Sequence, residues 1–284
     1  MQELIARGAR RLARARVWFG HGTDNAWDES AALVLHACGA AAGHALDRPV
    51  ASRTAERALA LIERRIAERV PAAYLTGRTW FAGLEMRIDR RVLVPRSPIA
   101  ELIERRFAPW VAPGAVSRIL DLGTGSGCIA IACAKAFPRA RVDAADISSD
   151  ALAVASLNVR RHRLSRRVRL VESDQFRALG SRRYDIIVSN PPYVGARELA
   201  GLPPEYAHEP EIALAAGSDG LDAARVILRD AGMHLRPRGI LVVEVGNTER
   251  AVRRVFARLP FVWLQFERGG GGVFLLTAEQ LRAQ

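Results

Sequence analysis

Lysine is almost missing from this chain: Lys135 is the only one, and the other basic residues are all arginine. The formal charge of +12 can draw nucleic acid, ribosomal RNA or acidic proteins to a surface. An arginine bias also arises from genome base composition, so both origins stay open, and charge speaks to association rather than fold. Cysteine is scarce as well. Cys38, Cys128 and Cys133 make no C-x-x-C pair, so neither a disulfide nor a metal is assigned to them, and they read as small core residues in a reducing compartment. None of the six histidines belongs to an H-E-x-x-H or similar cluster, and no metal is expected. Long apolar runs are lacking too. The longest, Ala31–Ala42, contains His36 and is too short to cross a bilayer. The arginine-rich start carries Glu3 and no uninterrupted apolar core, which argues against a signal peptide and for the cytoplasm.

What is present suits a globular chain: 49% hydrophobic and 25% charged residues over 284 positions, enough for one large domain and a small one. Residues 1 to about 70 read as helices, because Leu4, Ile5, Gly8, Leu12 and Ala15 recur at helical spacing, as do Ala58, Leu59, Ile62, Ile66 and Val70. Asp28 is expected to start one helix and Pro71 to stop the last. From Tyr74 to Pro95, Tyr-Leu-Thr-Gly, Trp80–Gly83, Met86–Asp89 and Val92–Val94 read as short strands between glycine turns. A helix over about 99–107 and a Pro/Gly connection at Pro109–Gly114 follow. The division expected is a helical unit at 1–73, a hairpin-and-helix connector at 74–114 and a catalytic domain at 115–284.

Beyond the connector the period alternates. Strands are expected at 118–122, 141–145, 168–171, 184–189 and 240–245, with helices at 128–137, 150–160, 221–235 and 249–259. That alternation implies a mostly parallel α/β sheet, doubly wound with helices on both faces. Two final runs, 261–266 and 273–276, flank Arg268-Gly-Gly-Gly-Gly272, and a hairpin there requires antiparallel neighbours. A Rossmann-like sheet ending so is the arrangement of class I methyltransferases that use S-adenosylmethionine (AdoMet).

Four segments carry chemistry. Asp121-Leu-Gly123-Thr124-Gly125-Ser-Gly127 lies between strand and helix, where glycines let backbone approach a ligand at the carboxyl end of the sheet. Asp121 would recognise an ammonium group directly or through water, and would repel a pyrophosphate, which favours AdoMet over a dinucleotide. Asp146 ends the next strand, where an acid grips a ribose diol; Ser148, Ser149 and Asp150 are better caps for the helix after it. Asp174, with Gln175 and Phe176 beside it, is placed to accept from an adenine amino group or to cap a helix. Finally, Ser189-Asn190-Pro191-Pro192-Tyr193 follows a strand that two prolines must end. The Asn190 side-chain oxygen and the Pro191 carbonyl then offer two acceptors at fixed separation, matching the two N–H donors of a planar –NH2 group, and Tyr193 offers a ring for that group to pack on. Such a nitrogen is a poor nucleophile because its lone pair is delocalised. Two acceptors move density back onto it, so alignment and electrostatics supply the catalysis.

Trp18, Trp27 and Trp80 read as small-domain packing or partner contacts, and His208 and Glu209 as organisers of the long 194–218 loop, a candidate substrate-facing segment.

These motifs together resemble the glutamine methyltransferases that modify peptide release factors and ribosomal proteins. The resemblance extends over Pro71–Gly77, Val94-Pro95-Arg96, Glu209-Pro210 and Gly217–Leu221. Trp18–Glu29 and Val94–Leu102 are similar to the branch acting on ribosomal protein L-three, whereas the release-factor branch carries an acid-threonine-glutamate run after its Pro-Arg. The resemblance implies methylation of a glutamine side-chain amide to N(5)-methylglutamine. By it, Asn190 and Pro191 bind the amide, Tyr193 lines its pocket, Gly123, Gly125 and Asp146 hold AdoMet, Asn190 faces both the amide and the cofactor, and the helical unit selects the ribosomal protein. Alternatives are release-factor methylation, an N(6)-adenine nucleic-acid methyltransferase without a recognisable target domain, a non-enzymatic AdoMet-sensing or RNA-binding assembly module, and a nicotinamide dehydrogenase.

Overall fold

The computed structural model describes residues 1–39, 47 and 49–283; the end of the Ala31–Ala42 run lies outside the described residues. Helices α1 (Gln2–Arg14), α2 (Ala26–Ala37) and α3 (Ser52–Glu68) pack around Ile5, Leu12, Leu33, Val34, Ala58 and Ile62. The helical stripes expected there supply this core. Two boundaries differ from expectation. Helix α2 begins before Asp28, because the Asn25 side chain accepts from the Asp28 N–H and caps it. Helix α3 stops at Glu68, where Arg69 turns left-handed at φ 57, so Pro71 is not its terminator. Pro71 instead opens a short helix, α4 (Ala72–Thr76), over residues expected to form a strand.

The expected hairpin is β1 (Arg78–Phe81) against β2 (Leu84–Arg87). Val92–Val94 makes no strand and enters α5 (Ile99–Glu104) as coil, with Val92 and Val94 buried. The alternating region gives β3 (Arg118–Leu122), α6 (Cys128–Ala136), β4 (Arg141–Asp146), α7 (Ser149–Arg161), β5 (Val168–Glu172) and β6 (Tyr184–Ser189). After α8 (Ala196–Leu199) come α9 (Asp222–His234), β7 (Leu235–Glu244), α10 (Glu249–Val255), β8 (Val262–Trp263), β9 (Val273–Thr277) and α11 (Ala278–Arg282). Strand β7 starts at Leu235, five residues before the apolar run that signalled it, and α11 had no expectation.

The seven strands lie in the order β5-β4-β3-β6-β7-β9-β8. The first five are parallel, and β9 is antiparallel to both β7 and β8. Alternate side chains face opposite layers. Ile119, Val142, Ile186 and Val242 pack towards α5 and α6 residues such as Ile103 and Ile129, whereas Leu120, Ile187 and Leu241 pack towards Ile227, Val252 and Leu281. No described helix is long and apolar enough to cross a membrane.

Candidate active site

The strand ends set the geometry. Leu122 is level with Ala145 of β4 on one side and Ser189 of β6 on the other. The turn that leaves β3 is fastened across those neighbours: Gly123 and Thr124 N–H donate to the Ala145 carbonyl at 2.8 and 2.9 Å, and Gly125 N–H donates to Asp146 Oδ2 at 2.8 Å. Gly123 and Gly125 sit at φ +73 and +53, which a side chain would strain. The Ser189 hydroxyl donates to the Leu122 carbonyl at 2.6 Å. These bonds place the glycine turn and the Asn190–Tyr193 turn side by side.

A cavity of about 390 Å³ opens over them, within the range of small-molecule sites. It is lined by Gly123, Thr124, Gly125, Asp146, Asp174, Gln175, Asn190, Pro191 and Pro192 of the residues singled out from the sequence. Among the described residues, nothing hydrogen-bonds the Asn190 side chain or the Pro191 carbonyl. Asp146 accepts from Gly125 and Ser148 N–H, and burial raises its carboxyl above the usual range.

Three expected residues stand behind the wall rather than on it. Asp121 is fully buried; its Oδ2 accepts from the Thr124 hydroxyl and the Ala130 N–H, while Oδ1 has no partner. Burial pushes its carboxyl up to about 7. It braces the glycine turn from inside, so a direct ligand contact is not what the structure displays. Gly127 caps α6 against Ala155. The Tyr193 ring lies on Gly246, and its hydroxyl donates to Glu244 Oε1 at 3.3 Å.

Several contributors were not foreseen. Ser97, on the cavity wall, donates to Glu244 Oε2 at 2.5 Å, so the buried Glu244 joins the wall to Tyr193. Burial pushes the Glu244 carboxyl up to about 7. An acid at the end of a strand beside β6 was the available signal, since ligands gather at that sheet edge. Arg96, whose motif was recognisable without a role, makes a forked pair with Glu209, 2.6 Å at both oxygens. Burial disfavours ionisation of Glu209, but Arg96 and then His21 hold its carboxyl down at about 2. Arg91 on the same wall is paired with Asp89 at 2.9 and 2.7 Å. Both wall guanidiniums are therefore neutralised by carboxylates, and the donor set suits a cation with a diol better than a pyrophosphate. The 194–218 stretch folds into α8 and two 3-10 turns, and its Pro210–Gly217 end closes the cavity.

The methyltransferase small domain family matches residues 108–201, the span holding both turns. The ribosomal protein uL3 glutamine methyltransferase of Bordetella pertussis is 48% identical over 285 residues, covering 99% of this chain and 96% of that protein. The chain belongs to this family. The Xylella fastidiosa member is 50% identical, over 99% of this chain and 91% of its own length. Among solved structures, a methyltransferase from Pyrococcus furiosus has a TM-score of 0.51 at 19% identity, covering 69% of this chain and 89% of that one. The hMettl16 catalytic domain in complex with MAT2A 3'UTR hairpin 1 has a TM-score of 0.51 at 18% identity, with 80% of each chain covered. Both share the class I methyltransferase fold. As a member of the uL3 glutamine methyltransferase family, the chain is an enzyme, which sets aside the dehydrogenase and the non-enzymatic assembly module.

Proposed function

We propose that this chain methylates the side-chain amide nitrogen of a glutamine in ribosomal protein uL3, with AdoMet as donor, in the cytoplasm. The observation that carries the reading is the pair of partnerless acceptors, the Asn190 side chain and the Pro191 carbonyl, beside a glycine turn on the neighbouring strand. AdoMet fits the residues there. The carboxylates of Asp146 and Asp174 on the wall favour a cationic ligand with a diol, and the wall arginines are already paired. Gly123, Thr124 and Gly125 would lie along it with Asp146 on the ribose, Asp174 and Gln175 at the adenine, and Asp121 and Gly127 supporting from behind. When bound, AdoMet supplies a methyl group on a positively charged sulfur.

The protein's own part is orientation. Asn190 Oδ1 and the Pro191 carbonyl accept the two amide hydrogens, which returns density to nitrogen and turns its lone pair to the cavity. Pro192 stiffens the turn, and Tyr193, held by Gly246 and Glu244, lines the amide's pocket. The proton leaves once nitrogen carries its new methyl, so no strong base is needed first. Residues 1–73 would select uL3, and an arginine-rich surface suits an encounter near ribosomal RNA. Labelled AdoMet offered with uL3, release factor or ribosomal RNA tests this. Label is expected on a uL3 glutamine; label confined to release factor or RNA overturns it.

A further inference from the structure

One ion cluster lies outside the site. Arg65 of α3 is fully buried, as is Glu205, and Glu29 of α2 is nearly so. The Arg65 guanidinium donates to Glu29, to Glu205 Oε1 at 3.1 Å and to the Trp18 carbonyl at 2.6 Å. The Trp18 N–H donates to the same Glu205 oxygen at 2.9 Å, and Arg69 reaches it at 3.4 Å. Glu29 is held from its other side by the Thr23 hydroxyl at 2.8 Å. Among the described residues Glu205 thus takes the ion pairs that the 194–218 segment makes with Arg65 and Arg69; beside it, His208 Nε2 lies 2.9 Å from the Glu68 carbonyl and His21 Nε2 3.5 Å from Glu209.

Glu205 sits in a 3-10 turn, Pro204–His208, whose other side packs against Arg96 of the cavity wall. Tyr206 lies under the Arg96 guanidinium, 5.4 Å to the ring centre, and edge-on to His21 at 4.6 Å. Glu209 follows at once, clamped by Arg96 and by the Val94 N–H at 3.0 Å. Within five residues the chain is therefore tied to the helices on one side and to the cavity mouth on the other. The next eight residues, Pro210–Gly217, supply the cavity's outer wall. A buried ion pair is a weak device for stability, because desolvation offsets much of its attraction. What it supplies is directional placement, since a forked guanidinium satisfies its partners in one arrangement only.

We propose that Glu205 is a positioning residue for methyl transfer: its buried pair with Arg65 makes the N-terminal helices set the place of the Pro210–Gly217 wall. The claim rests on the proposed uL3 reading for its kinetic consequence, but not for its structural one. Glu205→Gln in the full chain keeps the side-chain shape and leaves Arg65 its bond to Glu29. Hydrogen exchange is followed at the Val194, Ala196 and Ala216 amides, which hold the segment together through Leu214, Gly217 and Val194 carbonyls, and at Ile187 and Val188 inside β6. Losing one charge-assisted anchor should speed exchange in the segment by about tenfold or more while β6 stays unchanged. With uL3, KM should rise by a similar factor of about ten, and Glu205→Asp should recover part of it. If Glu205→Gln does not fold, Arg69→Ala at the edge of the same cluster makes the test with a smaller shift. Unchanged segment exchange, or equal acceleration in β6, overturns the proposal. Absence of uL3 methylation by the parent chain would instead refute the functional reading and leave the exchange result standing.

Discussion

Gly246→Ala tests whether the floor under Tyr193 controls the Asn190 turn. Gly246 sits at φ +45, and a Cβ there would come within 2.6 Å of Tyr193 Cε2 and 2.8 Å of its Cζ. Carbon atoms pack comfortably at about 3.5–4.0 Å, so the ring must retreat by about 1 Å. The left-handed backbone adds roughly 1–2 kcal/mol for alanine, and the crowding adds about 1–3 kcal/mol, enough to lower stability without abolishing the fold. Retreat of the ring also breaks the long 3.3 Å bond to Glu244. Because Tyr193 directly follows Pro191-Pro192, the displacement passes into the acceptor turn, and a misplacement of about 1 Å costs on the order of a hundredfold in rate. The assay is methyl transfer to uL3, alongside calorimetric binding of the demethylated cofactor. kcat is expected to fall by about that factor with binding retained, since Tyr193 and Gly246 do not line the cavity. A folded variant with kcat within about twofold of the parent would break the link between Tyr193 and the turn; a tenfold change is about 1.4 kcal/mol.

Stability should fall as pH rises from about 4.5 to about 7. The Glu244 carboxyl keeps its proton in the folded chain up to about 7, whereas the unfolded chain releases it near the usual carboxylate value. The unfolded state therefore loses its proton first and is favoured across that window, at about 1.4 kcal/mol per pH unit. Asp121 acts in the same direction. Urea unfolding of Glu244→Gln at about pH 5 and about pH 8 should show a decline smaller by on the order of 3 kcal/mol; an unchanged decline would count against it. Asn158→Ala removes bonds to both backbone groups of Arg87, at 2.7 and 2.9 Å, and to the Ser126 carbonyl at 2.9 Å. Asn158 has no solvent exposure, and leaving its partners unpaired should cost about 2–4 kcal/mol, read as a lower Tm; a variant as stable as the parent contradicts this.

The catalytic half was legible because its signals are local. Period-two runs from Arg118 to Ser189 alternate with helical ones, with Gly123 just after β3 and Pro191 just beyond β6, and β3 and β6 were placed to the residue. The two turns at their carboxyl ends followed from the same local chemistry. Errors arose where the deciding partner is distant in sequence or side-chain scale. Tyr74–Thr76 has strand-forming residues, yet Pro71 and the left-handed Gly77 enclose a single helical turn. Asn25 rather than Asp28 caps α2 because its side chain reaches forward three residues. The orientation of Tyr193 depends on Gly246 and Glu244, some fifty residues later. The Arg96–Glu209 and Arg65–Glu205 pairs join segments more than a hundred residues apart, and no periodicity reports such a pairing.

The most direct measurement is methyl transfer to uL3 by Asn190→Ala, with binding of the demethylated cofactor followed on the same sample. Losing one of two preorganised partners to the amide should reduce kcat by about a hundredfold or more, with the fold intact and the cofactor still bound. A variant that methylates the uL3 glutamine at the parent rate would show that the Asn190 side chain does not hold the reacting nitrogen.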